Sequence, residues 1–334
     1  MEGVAQMETK LNKLQRLANA DGVIAALAID QRGSLQKMLT QAANRPLEAN
    51  ALSHFKEIIS QEMTAYSSAI LLDPEYGLPA AFARAKNCGL LLAYEKTGYD
   101  TTAPGRMPDL LPTWSVKRLK ETGADAVKFM LYYDADEPFS INSKKQAFVE
   151  RIGSECVAEG LPFFLELMSY DAHISDTKSA AYARIKPHKV NAMMAEFSKP
   201  QYNVDVLKVE VPVEMRFVSG MSTETPLYSK AEAERYFKEQ VLAANGVPFI
   251  FLSAGVSAEM FQETLYFAHE AGSTFNGVLC GRATWKGSVL PFAKEGSASA
   301  RAFCQTTGRQ NIERLNQVLK ETATPLPALA RLKN

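Results

Sequence analysis

The sequence predicts an α/β fold, the closed (β/α)8 TIM barrel, on three observations. Eight short, nearly continuous apolar runs alternate with helical segments along 334 residues. Such runs suit a parallel sheet covered by helices, and eight is the barrel count. Polar residues gather at the C-terminal ends of the runs, where barrel chemistry sits. No GxGxxG follows the first run, which argues against the alternative, an open doubly wound sheet.

A charged helix over 7–20 precedes strand 23–29, which ends in Asp30-Gln-Arg-Gly33. Helix 50–67 leads to strand 69–72 and Asp73-Pro-Glu-Tyr-Gly77. Helix 78–86 precedes strand 89–94, ending in Glu95-Lys96; helix 113–122 precedes strand 124–132. Helix 144–159 precedes strand 162–168, and helix 187–197 precedes strand 205–211, closed by Pro212. Helix 229–245, strand 247–252, helix 258–271, strand 276–280 and C-terminal helices over 297–321 complete the series. Glycines end helices just before strands, as in Gly246-Val-Pro-Phe and Gly123-Ala-Asp-Ala. Residues 1–334 therefore read as a single barrel domain with N-terminal and C-terminal helical extensions.

Composition narrows the function. The 37 basic and 37 acidic residues cancel, so neither nucleic acid nor an anionic membrane is an expected partner. The polar N-terminus has no signal-peptide core, and no apolar run could span a bilayer; the expected location is cytoplasmic. Cys88, Cys156, Cys280 and Cys304 form no CxxC pair, so no disulfide framework or zinc knuckle is expected. His54, His173, His188 and His269 form no HxH or HxxxH, and nothing local suggests a metal site.

The stretch Asp205-Val-Leu-Lys208-Val-Glu-Val211 organises the rest. Alternation puts Val206, Lys208 and Glu210 on one face and Leu207, Val209 and Val211 on the other. A buried, unpaired ammonium is costly and tends to lose its proton. The neutral amine then attacks carbonyls, so Lys208 is a candidate for Schiff-base formation. The plainer alternative is a lysine paired with a carboxylate such as Glu210. Lys128 and Glu166 lie inside the fourth and fifth strands. If their faces point inward, Lys128, Glu166 and Lys208 meet on three adjacent strands.

Each strand-end residue also has an inert reading. Asp30 could cap a helix or a turn. Asp73, before Pro74, could start a turn, and Glu166 could be only the counter-ion of Lys128. Together, two lysines and a glutamate in three apolar strands cost more than one ion pair recovers, and buried charge of this kind clusters at functional sites. Lys128 would disfavour the charged form of Lys208, as would burial. Glu166 would shuttle protons through the carbinolamine. An iminium at a ketose C2 would allow C3–C4 cleavage once Asp30 or Glu166 removes the C4 hydroxyl proton. The loops Ser253-Ala-Gly255-Val-Ser257 and Gly281-Arg282 follow strands seven and eight, where barrels often hold phosphate on backbone N–H groups. Arg282 would add a charge-assisted fork; turn geometry and close packing are the glycines' other explanation.

Long motifs resemble the class I tagatose 1,6-bisphosphate aldolases. They include Ala28-Ile-Asp-Gln-Arg-Gly33, Ile70-Leu-Leu-Asp-Pro-Glu-Tyr-Gly77, Leu90-Leu-Leu-Ala-Tyr-Glu-Lys-Thr-Gly-Tyr-Asp100 and Trp114-Ser-Val-Lys-Arg-Leu-Lys120. Pro162-Phe-Phe-Leu-Glu-Leu167, Val204-Asp-Val-Leu-Lys-Val-Glu-Val-Pro212, Leu252-Ser-Ala-Gly-Val-Ser257 and Gly277-Val-Leu-Cys-Gly-Arg-Ala-Thr-Trp285 continue it nearly end to end. The resemblance implies a TIM barrel, no metal and no other cofactor. It also implies cleavage of D-tagatose 1,6-bisphosphate to dihydroxyacetone phosphate and D-glyceraldehyde 3-phosphate, within lactose and galactose breakdown. Lys208 matches the family's Schiff-base lysine, Glu166 its acid/base, Lys128 its active-site lysine and Asp30 its strand-one aspartate. Gln31 matches an active-site position, and Ser253, Gly281 and Arg282 match the site of the C1 phosphate. Arg32 is the suggested grip on the second phosphate. Fructose 1,6-bisphosphate is a plausible second substrate. The rivals are a sulfofructose phosphate aldolase and a sugar-phosphate-sensing regulator on the same barrel. Family habit suggests a homo-oligomer.

Overall fold

The computed structural model describes residues 9–96, 102–221 and 224–327. Residues 7 and 8 of the expected first helix, and the motif residues 97–100, lie outside them. The eight strands are β1 (Ile24–Ala28), β2 (Ala69–Leu72), β3 (Gly89–Ala93), β4 (Ala126–Tyr133), β5 (Phe163–Ser169), β6 (Val206–Val209), β7 (Phe249–Leu252) and β8 (Gly277–Cys280). They close in sequence order, β8 pairing β1, with every ladder parallel. This is the predicted barrel, with its strands where the apolar runs placed them.

The bore is filled rather than hollow. Ile24, Ala26 and Ala28 of β1 meet Ala69, Leu71, Leu91, Ala126, Phe164, Val206, Ile250 and Leu279 in one buried cluster. The small Ala26, Ala28, Ala69 and Ala126 share this cluster with the large Phe164 and Ile250, the mix of sizes a filled barrel needs. Alternate residues of each strand pack outward under the helices. The helix Lys10–Leu17 plugs the N-terminal end: Leu17 joins the inner cluster, with Leu11, Leu14 and Ala18 against it. Two partly buried hydrogen bonds fasten this plug. Lys10 Nζ reaches Asp205 at 2.7 Å, and Asp205 accepts the N–H of Phe163. Arg16 Nε reaches Asp125 at 2.7 Å, and Asp125 accepts the N–H of Leu90.

Several helices differ from expectation. Gly33–Ala43 follows β1 and Val289–Glu295 follows β8, neither anticipated. Each buries only two residues, Leu35 and Leu39 in one and Val289 and Ala293 in the other, so its apolar stripe is too thin to read. The helix before β6 runs Ala180–Phe197 and holds Pro187 inside it rather than at its start. Ser179 caps this helix by accepting the N–H of Tyr182. Pro187 has no N–H to offer the carbonyl of Ala183, one turn back. The buried Tyr228 hydroxyl donates to that carbonyl instead, at 2.6 Å. The missing helical bond is thus replaced from a neighbouring loop. Among the described residues, no helix is long and apolar enough to cross a membrane. Cys88, Cys156, Cys280 and Cys304 are buried and unpaired.

Tyr228→Phe should leave the Ala183 carbonyl buried without a donor. The expected loss, read from urea unfolding, is about 1–3 kcal/mol with the barrel retained.

Candidate active site

Inward-facing positions continue past the apolar layer into charge at the C-terminal mouth. On β6, Lys208 follows Val206; on β5, Glu166 follows Phe164; on β4, Lys128 follows Ala126. Glu166 pairs in register with Lys208 across the β5–β6 ladder. Lys128 lies diagonally, since the residue opposite Glu166 on β4 is Met130. The diagonal brings both amines to one carboxylate. Lys208 Nζ lies 2.8 Å from Glu166 Oε1 and Lys128 Nζ lies 2.7 Å from Oε2. The three residues sequence alternation placed together do converge.

Lys128 is encircled. Besides Glu166, it contacts Asp30 Oδ2 at 2.8 Å and Glu95 Oε1 at 2.6 Å. It is 1 % exposed, and three carboxylates overcome the burial that opposes its charge, so its pKa is raised well above the ordinary lysine value. Lys128 is therefore a fixed cation. Burial disfavours ionised Glu166 and Asp30, but Lys128 and Lys208 outweigh it and hold both carboxyls below their usual range. Burial dominates at Glu95 and raises it. Lys128 is thus no bare positive charge beside Lys208, as the sequence suggested; its field is offset by three anions. Nor is Glu210 the partner of Lys208. Glu210 accepts from the N–H and hydroxyl of Ser169 at 2.7 and 2.6 Å, with Lys186 at 3.9 Å.

Sequence reasoning passed over Glu95 as a site residue. Its signal was present: it has the same parity as Leu91, which faces the bore. Lys56, on the helix Ala51–Met63, ion-pairs with Asp73 where both are fully buried; burial lowers the lysine. Asp73 also accepts the N–H of Tyr76, the turn role weighed for it.

Arg32 is tied to the wall. Its Nη1 donates to Glu75 at 2.8 Å and its Nη2 to the carbonyl of Glu95 at 2.8 Å. Only Nε lacks a protein partner, as does Oε1 of neighbouring Gln31. The guanidinium suggested as the grip on the second phosphate is thus already engaged by the wall through both Nη atoms. Across the mouth, the two predicted glycine loops meet. A side chain at Gly255, which has φ +80°, would begin 3.3 Å from the Arg282 guanidinium. Ala254 before it is also left-handed, φ +48°. Gly281 is required by packing, because a Cβ there would sit 2.6 Å from the Ala28 carbonyl oxygen. Buried Ser253 lies against the Cys280 thiol, which burial pushes up to about 12.

The two lysines should differ in what they hold. Lys128→Met removes the cation shared by three buried carboxylates, leaving only Glu166 with a close ammonium, and should cost about 3–5 kcal/mol in urea unfolding. Lys208→Met leaves Glu166 still paired with Lys128 and should cost clearly less.

The chain is similar to known proteins over nearly its whole length. The model of the DeoC/LacD family aldolases matches residues 24–287. A tagatose 1,6-diphosphate aldolase of Enterococcus faecalis is 62% identical over 93% of this chain and 93% of its own length. One from Staphylococcus haemolyticus is 56% identical over 96% of this chain and 98% of its own. Among solved structures, a fructose-bisphosphate aldolase from Plasmodium falciparum superposes with a TM-score of 0.65 at 17% identity, covering 94% of this chain and 95% of that one. That likeness speaks to the fold alone. The family model and these relatives show that this chain belongs to the DeoC/LacD aldolase family.

Proposed function

We propose that the protein is a class I aldolase that cleaves D-tagatose 1,6-bisphosphate to dihydroxyacetone phosphate and D-glyceraldehyde 3-phosphate. The observation that carries the mechanism is Glu166 between two ammonium groups, at 2.8 Å from Lys208 and 2.7 Å from Lys128. The substrate is inferred from the names of the most similar relatives.

The Lys208 proton passes directly to Glu166, and the free amine adds to the ketose C2 carbonyl; the new alkoxide takes a second proton from the added nitrogen, giving the neutral carbinolamine. Glu166 returns that proton to the carbinolamine hydroxyl, which leaves as water and yields the iminium. Asp30 or Glu166 takes the C4 hydroxyl proton. The C3–C4 bond breaks, its electron pair flows into the iminium to form an enamine, and the aldehyde departs. Protonation at C3 and hydrolysis then release dihydroxyacetone phosphate and Lys208. Lys128 stays cationic throughout and fixes Glu166 and Asp30. Ser253, Gly255, Gly281 and Arg282 receive the C1 phosphate, and Gln31 offers its buried amide oxygen to a substrate hydroxyl. Fructose 1,6-bisphosphate, which differs in hydroxyl configuration, is a second substrate in this reading, and the cytoplasm is the site of action.

Borohydride with dihydroxyacetone phosphate should leave a reduced adduct on Lys208, located by peptide mass spectrometry. An adduct on Lys128 would exchange the lysines' roles, and bound ligand without an adduct would sink the imine. Lys208→Met should abolish cleavage. Glu166→Gln should lower the rate about 10²- to 10⁴-fold, and EDTA should not change it.

A further inference from the structure

The buried charges at the mouth balance. Asp30, Glu95 and Glu166 face Lys128, Lys208 and Arg32, three against three. A sugar bisphosphate brings a dianion at each end, so its phosphates need cations outside this network. Exposed Arg282 stands at the β7–β8 side. The opposite wall, above β4 and β5, needs another.

Most cations on that wall are neutralised. Lys145 pairs with Glu137 at 3.2 Å, Lys189 with Asp136 and Asp171 at 2.7 and 2.9 Å, and Lys96 with Asp109 at 3.5 Å. Arg106, in the loop after β3, is different. Its guanidinium carbon lies 4.3 Å from the ring centroid of Tyr170 and 5.5 Å from that of Tyr132. Among the described residues it has no carboxylate partner. An aromatic partner holds a guanidinium in place without cancelling its charge.

The loop is built to present it. Gly105 and Arg106 are both left-handed, at φ +86° and +42°. A Cβ at 105 would lie 2.8 Å from Ile141 Cγ2, so the turn is pressed against the helix Phe139–Glu159. A non-glycine residue held in this region is strained, and such strain collects at ligand clamps. Tyr132 shares the inward parity of Lys128 and Met130. Burial raises its hydroxyl, with the Glu166 charge next in effect, so its ring borders the reaction centre.

We infer that Arg106 grips the phosphate at the far end of the ketose, C6, and thereby sets the preference for a bisphosphate over a 1-phosphate. This rests on the aldolase reading above. The Tyr132–Tyr170 pair is the platform that aims the guanidinium, and the turn at Gly105 fixes its height. Arg32, already bonded to Glu75 and to the Glu95 carbonyl, is the lesser contact.

The test compares wild type with Arg106→Ala and Arg106→Lys on tagatose 1,6-bisphosphate and tagatose 1-phosphate. Arg106→Ala should lower kcat/KM for the bisphosphate about 10- to 100-fold, chiefly through KM, and leave the 1-phosphate unchanged. Arg106→Lys should recover part of the loss. Borohydride trapping of dihydroxyacetone phosphate on Lys208 should proceed equally in all three proteins, which also shows that the variants are folded. Normal trapping with an equal loss on both substrates, or no loss on either, would overturn the role of Arg106. Failure to trap in wild type itself would instead strike the aldolase reading.

Discussion

Glu166 holds one ammonium on each of its oxygens, and the rest of the mouth is arranged to make that bearable. A carboxylate this deep in a barrel is opposed by burial; it stays charged because Lys128 and Lys208 approach within 2.7 and 2.8 Å. Lys128 in turn is affordable only because Asp30 and Glu95 complete its shell. Breaking into such a network from any side leaves an unpaired charge in a low-dielectric interior. In the proposed mechanism the same closeness makes proton transfer between Lys208 and Glu166 a short step, so stability and chemistry would draw on one contact.

The barrel frame sets this geometry. Glu166 and Lys208 are level across the β5–β6 ladder, whereas Lys128 is two residues below the level of Glu166 on β4. Long lysine side chains span that stagger, and a shorter residue at 128 would not. Below the charged layer, the cluster around Phe164 and Ile250 and the plug helix Lys10–Leu17 keep water out of the bore. The charged cluster thus forms a floor above the apolar layer, at the C-terminal end of the strands.

Outside the floor lies a second ring of ion pairs in the loops after β4 and β5. Lys189 binds Asp134, Asp136 and Asp171 together, joining both loops to the helix Ala180–Phe197. Lys145 donates to the Tyr170 hydroxyl at 2.8 Å. These contacts immobilise the wall on which the Tyr132 and Tyr170 rings stand. Rigid support of this kind keeps a binding group within a fraction of an ångström of its working position.

Strand positions, their order and the inward faces of β4, β5 and β6 were legible from the sequence, because strand alternation has a period of two and assigns a face to every residue. That was enough to bring Lys128, Glu166 and Lys208 together. Helices with thin apolar stripes, such as Gly33–Ala43, were not legible, and neither was the Tyr228 hydroxyl that replaces the bond Pro187 cannot make. The partners of each charge were likewise hidden. Glu210 sits two residues from Lys208 yet turns to Ser169, while Glu95 reaches Lys128 from just past the end of β3. Arg106 is a loop residue with no periodic signal, and its place over two tyrosines depends on a left-handed turn pressed against a distant helix. The sequence by itself determined the barrel and which side chains enter its mouth. Only the tertiary structure decided which of them pair, because pairing depends on stagger between strands and on loops whose geometry is set by what they pack against.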